Sequence, residues 1–341
     1  MQFSPDERTS PPFAWFFLFA SLDAAAGVGV LLLYFVSGVD LVSGGTDSLF
    51  AWHGRELVFG YAPGVCTGLL LTALPRWTQR TPGPISETVL LFLWLGARCA
   101  ILFPSGVAPM LAAPLIGLAA VVSFHVIAAH DRRDFKVIAL LWLSAAGGLC
   151  ATLPGATTAQ LGLRLGLAAS IGLVMTIGGR VVPSVTASFL DGRGENAPVP
   201  RAPPVETLAA LGAIVGLVVW VVHPTGPLMT CAGVLAAGTQ VLRLAQWRGW
   251  TVIGAPAVLI FHLAYAFVPL GFALFAVNAS LPRLMPESAA LHAWTVGGMG
   301  LMTLGIMGSM IRRRTGRSFL TSRLGACVFA LAVIAAAASC P

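Results

Sequence analysis

The sequence predicts an all-α protein, a polytopic transmembrane helix bundle, and three observations predict it. Of 341 residues, 57% are hydrophobic and 10% charged, where a soluble domain carries roughly 25% charged residues. The mean hydropathy is +0.86. The apolar residues come in runs of roughly 18–25, the length of a membrane-crossing helix, not in the alternating runs of about ten that build a barrel. Breaks of Pro, Gly and charge divide them into about eleven spans: 13–37, 50–74, 84–103, 106–129, 135–154, 160–186, 205–222, 226–246, 252–278, 288–311 and 322–340.

The net charge of +7 reports topology and not a nucleic-acid partner, because the bases sit in short loops and form no soluble face. Arg76 and Arg80, then Arg132, Arg133 and Lys136, then Arg193 and Arg201, then Arg243 and Arg248, then Arg312, Arg313, Arg314 and Arg317 all fall on one side; Arg283 is the exception. The positive-inside rule places the N-terminus in the cytoplasm. Residues 1–341 read as a single transmembrane domain with no internal repeat, and the polar connection at 190–204 joins its two halves. Six cysteines fall singly, without metal or haem-attachment spacing, and read as small core-filling residues.

Along the chain, ionisable residues inside apolar spans are the informative ones, because each is costly in hydrocarbon without a partner or a purpose. Span one carries Asp23, an acid with no evident partner. Span two brings His53, Gly60, Gly64 and Gly68 onto one α-helical stripe, with Glu56 about 60° aside. That stripe is either a small-residue packing face or a flat wall for a planar cofactor, with His53 as a nitrogen ligand and Glu56 fixing the imidazole. Arg98 near the outer end of span three either pairs with Glu56 or grips a haem propionate.

His125 and His130, beside Asp131, Arg132 and Arg133, read as an interfacial surface at the end of span four. Arg180 lies near the inner end of span six, and His223 at a helix end is a capping residue or a reserve ligand. His262 falls towards mid-span nine with Tyr265 and Pro269 on its face. In span ten, His292 shares a stripe with Met299, Thr303 and Met310, with Met302 further round; thioethers beside an imidazole suit Cu(I), or simply fill the core. Span eleven ends the chain in an apolar run. The sequence contains no P-loop, dinucleotide fingerprint or nucleophile elbow.

Several of these segments together resemble the NnrS family. The likeness lies in His53, Glu56, Phe59 and Gly60 with the run Leu70 to Thr78, in Ile177 to Pro183, in Phe261 to Gly271, and in Ala290 to Gly297. The family comprises bacterial inner (cytoplasmic) membrane proteins reported to contain haem and copper and tied to the nitric oxide response. The resemblance implies a twelve-helix bundle, of which the last helix is expected to be missing here. It implies haem b and copper as cofactors, His53, His262 and His292 as metal ligands, and Glu56, Arg180 and Tyr265 as groups behind the ligands or facing substrate. Arg98, Arg180, Gly60 and Gly64 complete the expected cofactor contacts.

Three functions follow for test. The first is a haem-copper protein in which spans two, nine and ten wrap the macrocycle and nitric oxide arrives through the lipid bilayer. It binds nitric oxide or converts it as an oxidoreductase, with electrons from a membrane donor, or it relieves nitrosylated-iron stress. The second is a proton-coupled transporter using His262, Asp23 and Glu56 around the Gly/Pro-broken spans nine and ten. The third is a sensor or assembly factor in which the histidines only pack.

Overall fold

A computed structural model describes residues 12–42, 48–100, 108–130, 134–195, 199–316 and 323–338. Among the described residues helices are the only regular elements, as expected where backbone groups have no water to bond and must satisfy one another within each segment. Asp131, Arg132, Arg133, Arg317 and Cys340 lie outside the described residues.

The elements are α1 (Pro12–Ser37), α2 (Leu49–Glu56), a π-helical segment (Leu57–Tyr61), α3 (Ala62–Thr78), α4 (Pro84–Ala100), α5 (Ala113–Ala128), α6 (Phe135–Ala151) and α7 (Ala156–Asp191). They continue with α8 (Pro203–Val222), α9 (Pro227–Gln246), α10 (Pro256–Ser280), α11 (Glu287–His292), a second π-helical segment (Ala293–Gly300), α12 (Leu301–Arg314) and α13 (Arg323–Ala338). The described part of each expected span is largely helical. Eight of the described helical stretches are long and apolar enough to cross a membrane, while α4 and α6 have 17 residues and α13 has 16.

Proline explains many of the starts. Helices α4, α8, α9 and α10 open on it, where the fixed φ suits the first turn and the missing N–H has no helical partner in any case. Gly226, at φ +83°, makes the turn into α9, a conformation that a side chain would strain. Inside helices, Pro183 and Pro269 interrupt neither α7 nor α10. The expected end of span six at 186 therefore moves to Asp191, and span nine is continuous, not broken. Neighbouring helices and hydroxyls re-satisfy the backbone that proline frees.

The chain packs as two units, one running to Ala169 and the other beginning at Ser170. The boundary lies inside α7, so the polar connection at 190–204 belongs to the second unit. In the first unit α1 packs on α3, and α5 on α3, α4 and α6. Helices α6 and α7 cross with backbones touching: a Cβ on Gly147 would lie 2.6 Å from the Gly166 nitrogen, and one on Gly162 only 2.2 Å from the Ala151 nitrogen. Small residues permit such crossings, and close van der Waals contact is what holds helices together where lipid is as apolar as leucine.

In the second unit α8, α9 and α10 pack in sequence, and α10 also meets the second π-segment and α12. Aromatics and glycines interlock here. Trp294 occupies the space beside Gly271, and Phe267 that beside Gly297. The Trp294 indole donates to the Val268 carbonyl at 3.1 Å, amid Trp220, Phe272 and Phe275.

Candidate functional site

Each unit builds its own polar site. In the first, Glu56 ends α2 and accepts from Arg98 of α4, with 7% and 12% of the two side chains exposed. A second Arg98 nitrogen donates to the Phe59 carbonyl at 3.4 Å, and the guanidinium lies 5.7 Å from the Trp94 ring centroid. The Trp94 indole in turn donates to the Gly60 carbonyl at 2.9 Å.

Gly60 is what makes room: a Cβ there would lie 2.9 Å from both the Arg98 guanidinium carbon and Asp23 Oδ2. Asp23, for which the sequence offered no partner, thus joins Glu56 and Arg98 in one buried charge cluster. Gly64 and Gly68 face Ala20 and Phe17 of α1, so protein fills the glycine stripe. The stripe itself is altered. The π-segment at 57–61 contains Gly60 and separates His53 from Gly64 and Gly68, and its wider turn shifts the α-helical projection that placed them on one face.

In the second unit, Tyr265 of α10 is fully buried at the centre of a hydrogen-bonded chain. Its hydroxyl accepts from Arg243 of α9 at 2.6 Å and donates to Gln240 Oε1 at 2.6 Å. Gln240 donates onward to the Ala209 carbonyl at 2.7 Å. Arg243 also donates to Glu206 of α8 at 2.7 and 3.1 Å, and to the Met175 carbonyl at 3.0 Å. Gly178 and Gly179 of α7 leave space for this chain: a Cβ at Gly178 would meet Tyr265 at 3.3 Å, and one at Gly179 would meet the Arg243 guanidinium carbon at 2.7 Å. Sequence reasoning counted Arg243 as a loop charge and passed over Glu206 and Gln240; only their position near helix ends was visible.

His262 lies one turn before Tyr265 and is 5% exposed. The Thr186 hydroxyl donates to the Val182 carbonyl at 2.9 Å, so its single proton is used and it accepts from His262 Nε2–H at 2.8 Å. His262 Nδ1 therefore carries a bare lone pair, covered by Gly249, whose Cβ would come within 2.8 Å of it.

A family model described as "NnrS protein" matches residues 9–339. The chain belongs to the NnrS family. No curated protein and no solved structure matches it.

The other residues of interest in this NnrS member are distributed along several helices. His53 is half-buried at the end of α2, His292 is half-buried at the end of α11, and each is followed by a π-segment. Such segments concentrate at functional positions in helical proteins. Arg180 is half-buried on α7. Met299 and Met302 are core residues, the latter with its methyl 3.0 Å from a Cβ built on Gly178. His223 is exposed where α8 ends. His125 corrects an expectation. It is 8% exposed with Nδ1 donating to Val121 O at 2.8 Å, because the hydrogen bond to its own helix lets it turn inward and not to an interfacial surface.

No three His, Cys, Asp or Glu side chains gather among the described residues. His262 and His292 in particular cannot share a metal. At 1.5 Å per residue, His262 lies about 27 Å before the end of α10, whereas His292 lies about 8 Å into α11, on the returning strand of that hairpin. His53 and His292, each half-buried, are the imidazoles that could hold a metal through one ring nitrogen.

Proposed function

We propose that this NnrS protein serves the nitric oxide response of a bacterial inner membrane, binding or converting nitric oxide at haem and copper. His53 in the first unit and His292 in the second are the imidazoles assigned to metal. The observation that carries the reading is the local context these two share, a half-buried histidine in the last turn of a short helix that runs into a π-helical segment, in a chain of the NnrS family, whose members are reported to contain both groups. When bound, haem and copper supply the centre that takes up nitric oxide and exchanges electrons with it.

The chain's own residues supply the surroundings. Glu56 lies three residues from His53 on α2 and is fixed by Arg98, so that stretch of helix is pinned at its charged end. Arg180 and Tyr265 remain the second unit's substrate-facing candidates, with Tyr265 held in one orientation by the bonds on both sides of its oxygen. Apolar helices let a small neutral ligand reach such a centre from the bilayer without an aqueous channel.

The deciding experiment is an absorption spectrum of detergent-purified protein, oxidised, reduced and then exposed to nitric oxide, with iron and copper quantified. A Soret band that shifts with nitric oxide, and is lost in His53→Ala or His292→Ala, is the expected result. Full retention of both metals in both variants would overturn the ligand assignment.

The charge cluster of Asp23, Glu56 and Arg98 favours a second reading, a proton-coupled transporter, since intramembrane acids mark proton relays. A colourless, metal-free protein from haem-sufficient cells would select it.

A further inference from the structure

One end of the second unit, where α8 begins, α9 ends and α10 sets out, holds more polar groups than its hydrogen bonds satisfy. Four buried atoms there have no hydrogen-bond partner among the described residues: Glu206 Oε1, Gln246 Nε2, Trp247 Nε1 and His262 Nδ1. Two are donors and two are acceptors. They lie around the Glu206–Arg243–Tyr265–Gln240 chain. Trp247 meets Tyr265 edge to face with ring centroids 4.5 Å apart and lies beneath Arg243 at 5.3 Å, and Gln246 accepts from the Ala202 N–H at 2.8 Å through its other terminal atom.

A buried polar group left without a partner forfeits its hydration for nothing in return, so four together are not sustained by packing alone. Buried water is the usual partner, each molecule making about three hydrogen bonds as both donor and acceptor. A mixture of donors and acceptors suits water and does not suit an apolar ligand. The cluster also carries no net charge, since Glu206 neutralises Arg243, so it does not repel a proton. Its mouth is open: Glu206 is 22% exposed by side chain, beside the exposed stretch at 201–204.

We infer that this end of the second unit is a hydrated pocket that admits protons, with Glu206 positioning water at the mouth and Tyr265 as its deepest hydroxyl. The role rests on the nitric oxide reading above, in its converting form. Two nitric oxide molecules, two protons and two electrons give one nitrous oxide and one water; a membrane quinol is the electron donor, oxidised to quinone. The pocket's part is proton transfer alone. Each water accepts one proton and releases another inward, and no pocket atom changes oxidation state. Arg243, Gln246 and Trp247 are positioning residues that order the water.

Two measurements on the full chain in lipid nanodiscs or proteoliposomes test this. Hydroxyl-radical footprinting labels buried aromatics that touch bound water. Trp247 and Trp294 are both 0% exposed, but the Trp294 indole is bonded to protein. Trp247 is expected to label severalfold faster than Trp294; equal protection of the two overturns the hydrated pocket. In the second measurement, nitrous oxide formation from nitric oxide and a quinol is followed in water and in heavy water. Tyr265→Phe and Trp247→Phe, which remove one hydroxyl and one N–H, are expected to slow it severalfold and to raise the solvent isotope effect. Wild-type turnover that neither variant changes overturns proton delivery while leaving the nitric oxide reading intact. A wild type that forms no nitrous oxide overturns the converting reading and the delivery role with it, whereas the footprinting contrast still decides the hydration.

Discussion

Asp23, Glu56 and Arg98 set two carboxyl groups beside one guanidinium inside an apolar bundle, and the excess acid has a consequence. Removing one partner of a buried ion pair costs about 3–5 kcal/mol, because the other charge is left buried and alone. Here Arg98 has a substitute at hand, since Asp23 Oδ2 sits by the same Gly60 surface as the guanidinium. Glu56→Gln is therefore expected to cost less than that range, and Asp23→Asn in the Glu56→Gln background to cost the rest, so the double variant exceeds the sum of the singles. Thermal unfolding of the four proteins in detergent measures it; simple additivity would show that Asp23 does not back up the pair. At this scale the sequence was legible where a residue is costly by itself: Glu56, Arg98, Tyr265 and His262 stand out in apolar runs. It was illegible where the reason lies in a distant partner. The pattern around Gly178 and Gly179 was visible, but not that these glycines clear space for Tyr265 and Arg243. Arg243 itself looked like any basic residue at a helix end.

Helices were legible as apolar length, and the described part of each expected span is largely helical, but their internal register was not. A projection at a constant angle fails across residues 57–61 and 293–300, where π-turns displace everything beyond them. That is why the predicted stripes from His53 to Gly68 and from His292 to Met310 are not continuous faces. Glycine content was equally ambiguous, since the same residue serves a crossing or merely faces lipid. The crossing of α6 and α7 separates these cases. Alanine in place of a helical glycine gains about 1 kcal/mol of intrinsic helix propensity. At Gly162 the new methyl would strike the Ala151 backbone, which cannot rotate away, and overpacking of that kind costs about 1–3 kcal/mol or more. At Gly238 of α9 nothing lies within 4 Å. Gly162→Ala is thus expected to lower the unfolding temperature and Gly238→Ala to leave it unchanged or raise it. Equal tolerance at both positions would show that α6 and α7 do not rely on backbone contact.

For the whole molecule, the distribution of charge sets a direction that decides what the hydrated pocket can do. Within the second unit, Arg193, Arg201 and Arg248 border the same helix ends as Glu206, whereas the opposite connections, 223–226 and 281–286, carry Arg283 as their one arginine and no lysine. Lys and Arg near span ends favour the cytoplasmic face. In the orientation expected from the sequence, the pocket is predicted to open to the cytoplasm, the side from which a cell can supply protons without drawing on its external medium. Gly254 is exposed with no atom within 4 Å of a Cβ, and Arg283 is exposed in the opposite connection, so a cysteine at either site disturbs little. Each is introduced singly into a chain whose native cysteines are replaced by alanine, and intact cells are treated with a membrane-impermeant maleimide. Arg283→Cys is expected to label and Gly254→Cys only after the membrane is opened. The reverse pattern would turn the bundle over and make the pocket draw protons from outside the cell, which would leave proton transfer past Tyr265 unchanged but couple it to the transmembrane gradient with the opposite sign.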